Sequence, residues 1–107
     1  MDEPIHLTIV AQTPLGLQVR VDRARWELII RSKHPAMDGR EALVQSALAS
    51  PDEVRQSRTD PTVFLFYQAE RAERWVCAVV KQTDDDCFLI TAYPTDAIKE
   101  GVKIWPK

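Results

Sequence analysis

Cysteine is scarce in this sequence of 107 residues, which contains only Cys77 and Cys87, each within an apolar run. Neither has a CxxC partner or a histidine at a spacing typical of metal ligands, so we expect two buried, reduced thiols. A disulfide between them would need adjacent strands and an oxidising compartment. The sequence therefore does not indicate a disulfide scaffold.

Long apolar runs are also missing. No segment approaches the length of a membrane-spanning helix, and the N-terminal stretch MDEPIHLTIV is acidic and lacks the basic flank of a signal peptide. We therefore expect a cytoplasmic protein with no membrane partner.

A basic surplus and the common catalytic motifs are absent too. The net charge is −2, so a nucleic-acid partner would need a local basic patch. The sequence has no GxGxxG, GxxxxGK[ST], GxSxG or HExxH, and His6 is the only histidine besides His34. The aspartates of TDDDC point different ways in a turn, which argues against a metal site. If the protein is an enzyme, we expect no metal and no cofactor.

What is present is typical of one small globular domain over residues 1–107, with 45% apolar and 28% charged residues. The segments IHLTIVAQ and LGLQVRV predict a β-hairpin. A helix capped by Asp22 should follow through RARWELIIRSK and end before Pro35. A second helix is expected at about 39–49, and SPDE predicts a short helical turn capped by Ser50.

Three strands are predicted next, at TVFLFYQ, RWVCAVVKQ and CFLITAY, with a charged turn TDDD between the last two. Alternation places Cys87, Leu89, Thr91 and Tyr93 on one face of the third strand. A turn or short helix should follow at PTDAIKEG. The predicted fold is α+β, with the N-terminal hairpin and helices packed on an antiparallel sheet of about four strands.

His34 is the first polar residue that this pattern leaves unexplained. Because it precedes Pro35, its backbone should be extended just beyond a helix end. The ring could simply cap helix carbonyl groups, or it could transfer protons near neutral pH.

Further polar residues lie in or near the predicted strands. Tyr67, Lys81, Thr91 and Tyr93 could form either a solvated rim of the sheet or part of a site. The basic residues could be ordinary solvated charges or phosphate contacts. They are Arg55, Arg58, Lys99 and Lys103.

Several stretches, taken in order, resemble a known group of small bacterial and phage-associated domains. They are RWELIIRSKHPAM, REALVQSALASPDEVRQSR, VFLFYQ, RWVCAVVK and FLITAYPTDAIKEG. The chain is similar to the phage-type branch of the barnase–EndoU–colicin–RelE (BECR) superfamily of ribonucleases, from about Trp26 to Lys103. The resemblance implies helices followed by a four-stranded antiparallel sheet.

The resemblance also implies metal-independent RNA cleavage, in which a 2′-hydroxyl attacks the adjacent phosphate and leaves a 2′,3′-cyclic phosphate. His34 would be the base or the acid. Candidate groups for the phosphate are Arg58, Lys81, Thr91 and Tyr93, and candidate RNA-binding groups are Tyr67, Arg55 and Lys99.

Two alternatives to a toxin-like ribonuclease remain. One is a catalytically inactive domain of the same fold that binds RNA or a protein partner, and the other is an interaction module that pairs through a sheet edge. RNA is the expected partner, and a cognate inhibitor or antitoxin is a further possible one.

Overall fold

The computed structural model describes residues 8–107 and contains one large sheet with helices on one side. Its strands are Thr8–Gln12 (β1), Gln18–Asp22 (β2), Glu53–Gln56 (β3), Val63–Arg71 (β4), Arg74–Gln82 (β5), Cys87–Thr95 (β6) and Val102–Trp105 (β7). Its helices are Arg23–Leu28 (α1), which continues as a π-helical turn at Ile29–Lys33, a 3-10 turn at Pro35–Met37, and Glu41–Ala49 (α2).

The sheet has seven strands in the order β1-β2-β6-β5-β4-β3-β7. All neighbouring strands are antiparallel except β2 and β6, which are parallel and pair Arg20 with Phe88. The α+β class is confirmed. The expectation of about four antiparallel strands is only partly right, because the sheet is mixed and larger.

The N-terminal hairpin is confirmed in the described residues, since β1 and β2 pair from Thr8 with Asp22 to Gln12 with Gln18. The predicted strand residues before Thr8, and His6, lie outside the described part of the chain. Asp22 occupies the predicted N-cap position of α1, but its side chain makes no capping hydrogen bond and instead accepts one from Arg20.

The second helix is shorter than predicted and begins at Glu41. Its apolar stripe is confirmed, with Val44, Ala47 and Leu48 buried. The predicted helical turn at SPDE is wrong, because Ser50 ends α2 and Glu53 begins β3. Pairing with β4 on one side and β7 on the other outweighs the local helix-start signal.

One face of the sheet, which we call the helical face, packs against α1 and α2. The main core lies there and includes Trp26, Ile29, Met37, Val44, Leu48, Phe64, Phe66, Val76, Ala78, Val80, Leu89 and Ala92. The opposite face, which we call the open face, carries a smaller cluster centred on Leu65, Tyr67 and Cys77. The two cysteines are free and buried, Cys77 on the open face and Cys87 in the main core.

The faces of β6 differ from the predicted alternation. The register shifts where Val79 pairs with Thr91 and Val80 pairs with Leu89, so Ile90 is an extra residue in the strand. Cys87 and Leu89 therefore face the main core, whereas Thr91 and Tyr93 face the open side. The prediction that Thr91 and Tyr93 share a face is confirmed, but the prediction that Cys87 and Leu89 share it with them is wrong.

Residues 96–101, which we call the strap, cross the open face between β6 and β7 without forming the predicted short helix. Ile98 packs against the cluster of Leu65, Tyr67 and Cys77. Gly101 has φ of 79°, and a Cβ atom there would lie 2.5 Å from the carbonyl oxygen of Gln56. Only glycine therefore fits where the strap meets β3.

Candidate functional site

Three polar side chains meet in one row across the open face. Tyr67 on β4 pairs with Cys77 on β5, which pairs with Tyr93 on β6. Directly paired residues on neighbouring strands place their side chains next to each other on the same face. Tyr67 and Cys77 are 1% and 0% exposed, and Tyr93 is half-buried. The row therefore forms a mostly covered polar cluster beneath the strap.

Burial controls the protonation of this cluster. It raises the pKa of the Cys77 thiol to about 12, although the neighbouring Tyr93 and Tyr67 hydroxyls oppose that rise. Burial, followed by the nearby Cys77, also raises the pKa values of Tyr67 and Tyr93 above the ordinary tyrosine range. All three groups consequently keep their protons at neutral pH, so both tyrosines can donate hydrogen bonds.

His34 reaches this cluster from the end of the first helical segment. Its backbone, with φ of −140° and ψ of 76°, is non-helical, as expected before Pro35, but its ψ falls short of the predicted extended range. Its N–H donates to the carbonyl oxygen of Ile29 at 2.7 Å. The ring centroids of His34 and Tyr93 are 5.4 Å apart with planes at 41°. This contact joins a titratable ring to the open-face row.

Thr91 lies one step along β6 from Tyr93, in a row with Val79 and Leu65. Its Oγ1 is buried, and among residues 8–107 it has no hydrogen-bond partner. Leaving a buried hydroxyl unpaired costs about 1–3 kcal/mol, so a partner supplied from outside the chain would relieve that cost. An unpaired hydroxyl beside Tyr93 is consistent with a ligand position.

Two predicted phosphate-binding cations are held by carboxylates. Lys81 Nζ lies 2.9 Å from Asp60 Oδ2. Arg55 Nε lies 2.7 Å from Glu53 Oε2, and its Nη1 donates to the carbonyl oxygen of Gly101 at 3.1 Å. Both side chains belong to rows of the open face, but their charges are largely balanced.

Of the three other predicted cations, Arg58 and Lys99 line an open cleft of about 400 Å³ between the strap and the β3–β4 loop. Lys103 lies outside that lining, on β7, where it pairs with Arg55 of β3. Sequence reasoning did not find the other residues that line the cleft. They are Ser57, Thr59, Val63, Leu65, Glu100 and Gly101. The glycine in KEGVK was the one available signal, since an isolated glycine often marks a close backbone approach.

The predicted residues thus divide into two groups. His34, Tyr93 and Thr91 lie together at the β6 side of the open face, whereas Arg58 and Lys99 line the cleft. Tyr67 lies between the two groups, on β4 next to Leu65 of the cleft floor. The distance from Tyr93 to Leu65, at the cleft floor, is on the order of 12 Å. It spans two strand spacings, from β6 to β4, and two residues along β4.

Within residues 8–107, no group of three or more histidine, cysteine or acidic side chains is arranged to hold a metal ion. No helix in the same range is both long and apolar enough to span a membrane.

Comparison with known proteins gives no assignment. No family model, no curated protein and no solved structure matches the chain.

Proposed function

We propose that the protein is a metal-independent endoribonuclease whose cleavage site is the open-face group of His34, Tyr93 and Thr91. The observation that carries the proposal is the contact of the His34 and Tyr93 rings beside the unpaired Thr91 hydroxyl. The resemblance to phage-type BECR ribonucleases implies the same chemistry, and its catalytic candidates include these three residues together with Arg58 and Lys81.

In the proposed reaction the 2′-hydroxyl oxygen of RNA forms a bond to the adjacent phosphorus atom, and the bond from phosphorus to the 5′-oxygen breaks. The products are a 2′,3′-cyclic phosphate and a 5′-hydroxyl. His34 either accepts the proton of the attacking hydroxyl or donates a proton to the leaving oxygen, and solvent water makes the other of these two transfers. Tyr93 and Thr91 orient the phosphate by donating hydrogen bonds. Tyr93 suits this role because a tyrosine hydroxyl is protonated at neutral pH and can donate a hydrogen bond.

Cleavage of RNA in the presence of a chelator tests this proposal. Replacing a proton-transfer group costs about 10²- to 10⁴-fold in rate, so His34→Ala should lose that much activity. Lys33→Ala is the matched control, because Lys33 is the exposed neighbour of His34. Tyr93→Phe should lose less, since it removes one hydrogen-bond donor and keeps the ring.

The products provide a second criterion. Chelator-resistant cleavage should leave cyclic phosphate ends and should stop when the substrate carries 2′-deoxyribose at the cleaved position. Cleavage that requires a metal ion, or that is equal in native and His34→Ala protein, would remove His34 from the mechanism.

A non-catalytic domain that binds RNA or a protein partner is the second candidate. The ion pairs that hold Lys81 and Arg55 favour it, because they leave less free positive charge for the phosphorane. Binding of RNA without cleavage by any of several substrates would support this candidate. Co-purification with a small inhibitor protein from the native source would test the predicted antitoxin-type partner.

A further inference from the structure

The cleft beside the strap has the form of a separate binding site. It is lined on one side by the β3–β4 loop and on the other by the strap, and Val63 and Leu65 supply an apolar floor. Its volume of about 400 Å³ falls within the range of small-ligand pockets. An apolar floor with polar sides suits a flat aromatic group that carries a charged substituent.

Within the described part of the chain, the two cations that line this cleft are not held by carboxylates. Among residues 8–107, Arg58 and Lys99 have no carboxylate within ion-pair distance, whereas Arg55, Lys81 and Arg20 all have one. The Glu100 carboxylate lines the same cleft and offsets one of the two charges. The remaining charge favours an anion, and the guanidinium of Arg58 can bind a phosphate with two hydrogen bonds.

The loop that carries Arg58 is held in a defined shape. The Ser57 hydroxyl oxygen accepts hydrogen bonds from the backbone N–H groups of Thr59 and Asp60, each at 3.3 Å. On the other side, Gly101 fixes the strap against β3. Both walls are therefore positioned before any ligand binds, which lowers the entropic cost of binding.

We propose that this cleft is a second nucleotide subsite, which binds a base and phosphate of the RNA strand at a distance from the cleaved bond. This inference rests on the proposed ribonuclease function. The separation of about 12 Å between Tyr93 and the cleft floor exceeds one nucleotide step, so an extended strand would place two or three nucleotides across the open face. The base lies on Val63 and Leu65, and the phosphate contacts Arg58 and Lys99.

Binding of non-cleavable RNA tests the subsite without depending on catalysis. Fluorescence anisotropy of 2′-O-methyl oligonucleotides of two and six nucleotides measures how much affinity the native protein gains with length. Arg58→Gln and Lys99→Gln should each weaken binding of the hexamer roughly fivefold and reduce the gain with length. Each should also lower the slope of log affinity against log salt concentration by about 0.7.

Arg23→Gln is the matched control, because it also removes one exposed positive charge but lies at the start of α1. It should leave the gain with length unchanged. If Arg58→Gln and Lys99→Gln leave the gain in affinity with length unchanged, as Arg23→Gln should, the proposal of a subsite is wrong. If they weaken the hexamer but the native protein cleaves no RNA, the cleft stands as an RNA-binding site and the proposed catalytic function fails.

Discussion

The two faces of the sheet differ in what covers them. The helical face is covered by α1 and α2 and carries almost purely apolar side chains, such as Phe66 and Val80, both 0% exposed. The open face is covered only in part, by a six-residue strap without regular structure, and its row of Tyr67, Cys77 and Tyr93 is polar. The same strands therefore supply a stable core on one side and candidate chemistry on the other.

The difference between the faces separates the source of stability, on the helical face, from the candidate binding groups, on the open face. Hydrophobic burial on the helical face offsets most of the conformational entropy of folding. The open face can then carry an unpaired hydroxyl at Thr91 and charged groups around a cleft. Four substitution experiments test this difference between the two faces.

The strap is the point where the open face is most easily disrupted. Gly101→Ala should cost about 3 kcal/mol of unfolding free energy, because it combines a positive φ with a contact to a backbone oxygen. Gly16→Ala is the control, since Gly16 also has positive φ but no atom within 4 Å of a built Cβ. It should cost about 1 kcal/mol. Urea unfolding measures both, and equal losses would show that the strap is not tightly fitted.

Neighbouring valines on β5 compare the two faces directly. Val80→Ala removes buried methyl groups from the helical face and should cost about 2 kcal/mol. Val79→Ala makes the same change on the half-buried open face and should cost about 1 kcal/mol or less. Urea unfolding of the two variants measures the difference. A larger loss for Val79→Ala would mean that the open face is the better packed one.

The two thiols report opening of each face separately. Both should alkylate slowly in the native protein, because they are buried and burial raises the pKa of each. In Gly101→Ala, Cys77 should label on the order of a hundredfold faster, because opening of the strap exposes it and relieves the strain of about 3 kcal/mol. Cys87, in the main core, should keep its native rate. Peptide mapping by mass spectrometry measures both rates, and faster labelling of both would indicate global unfolding.

The smallest effect concerns acid stability at the edge of the open face. A hydrogen bond from the Thr62 hydroxyl, followed by one from Lys81, lowers the pKa of Asp60 to about 2. Because the folded pKa lies below the unfolded one, this carboxylate stabilises the fold above about pH 4 and loses that contribution as pH falls towards 2. Asp60→Asn should therefore flatten the fall in stability between pH 4 and 2. Urea titrations at several pH values measure it, and an unchanged profile would contradict the assignment.

Local patterns predicted the elements that depend on local physics. The apolar segment RWVCAVVKQ predicted β5 with the correct bounds. Pro35 correctly predicted that the helical segment ends before it and that the backbone of His34 is non-helical. The extra residue Ile90 in β6 could not be predicted, because strict alternation along a strand does not indicate where a bulge changes the alternation.

Elements formed by distant partners were missed. The strand β3 begins within the segment SPDE, whose proline and acidic residues are typical of a helix start. These residues form a strand because they pair with β4 and β7. The cleft was missed for the same reason, since its two walls come from segments far apart in the chain. His34 and Tyr93 could each be selected from the sequence as candidates, but the contact between their rings depends on the tertiary structure.

The parallel pairing of β2 with β6 has a consequence for folding on the ribosome. Arg20 emerges long before its partner Phe88, so the N-terminal hairpin and α1 have no sheet to join until β6 has been synthesised. Such non-local pairing slows folding, because a long loop must close before the contact forms. The ring of His34 would likewise find Tyr93 only at that late stage. The contact between His34 and Tyr93 is therefore absent from a nascent chain until β6 has been synthesised.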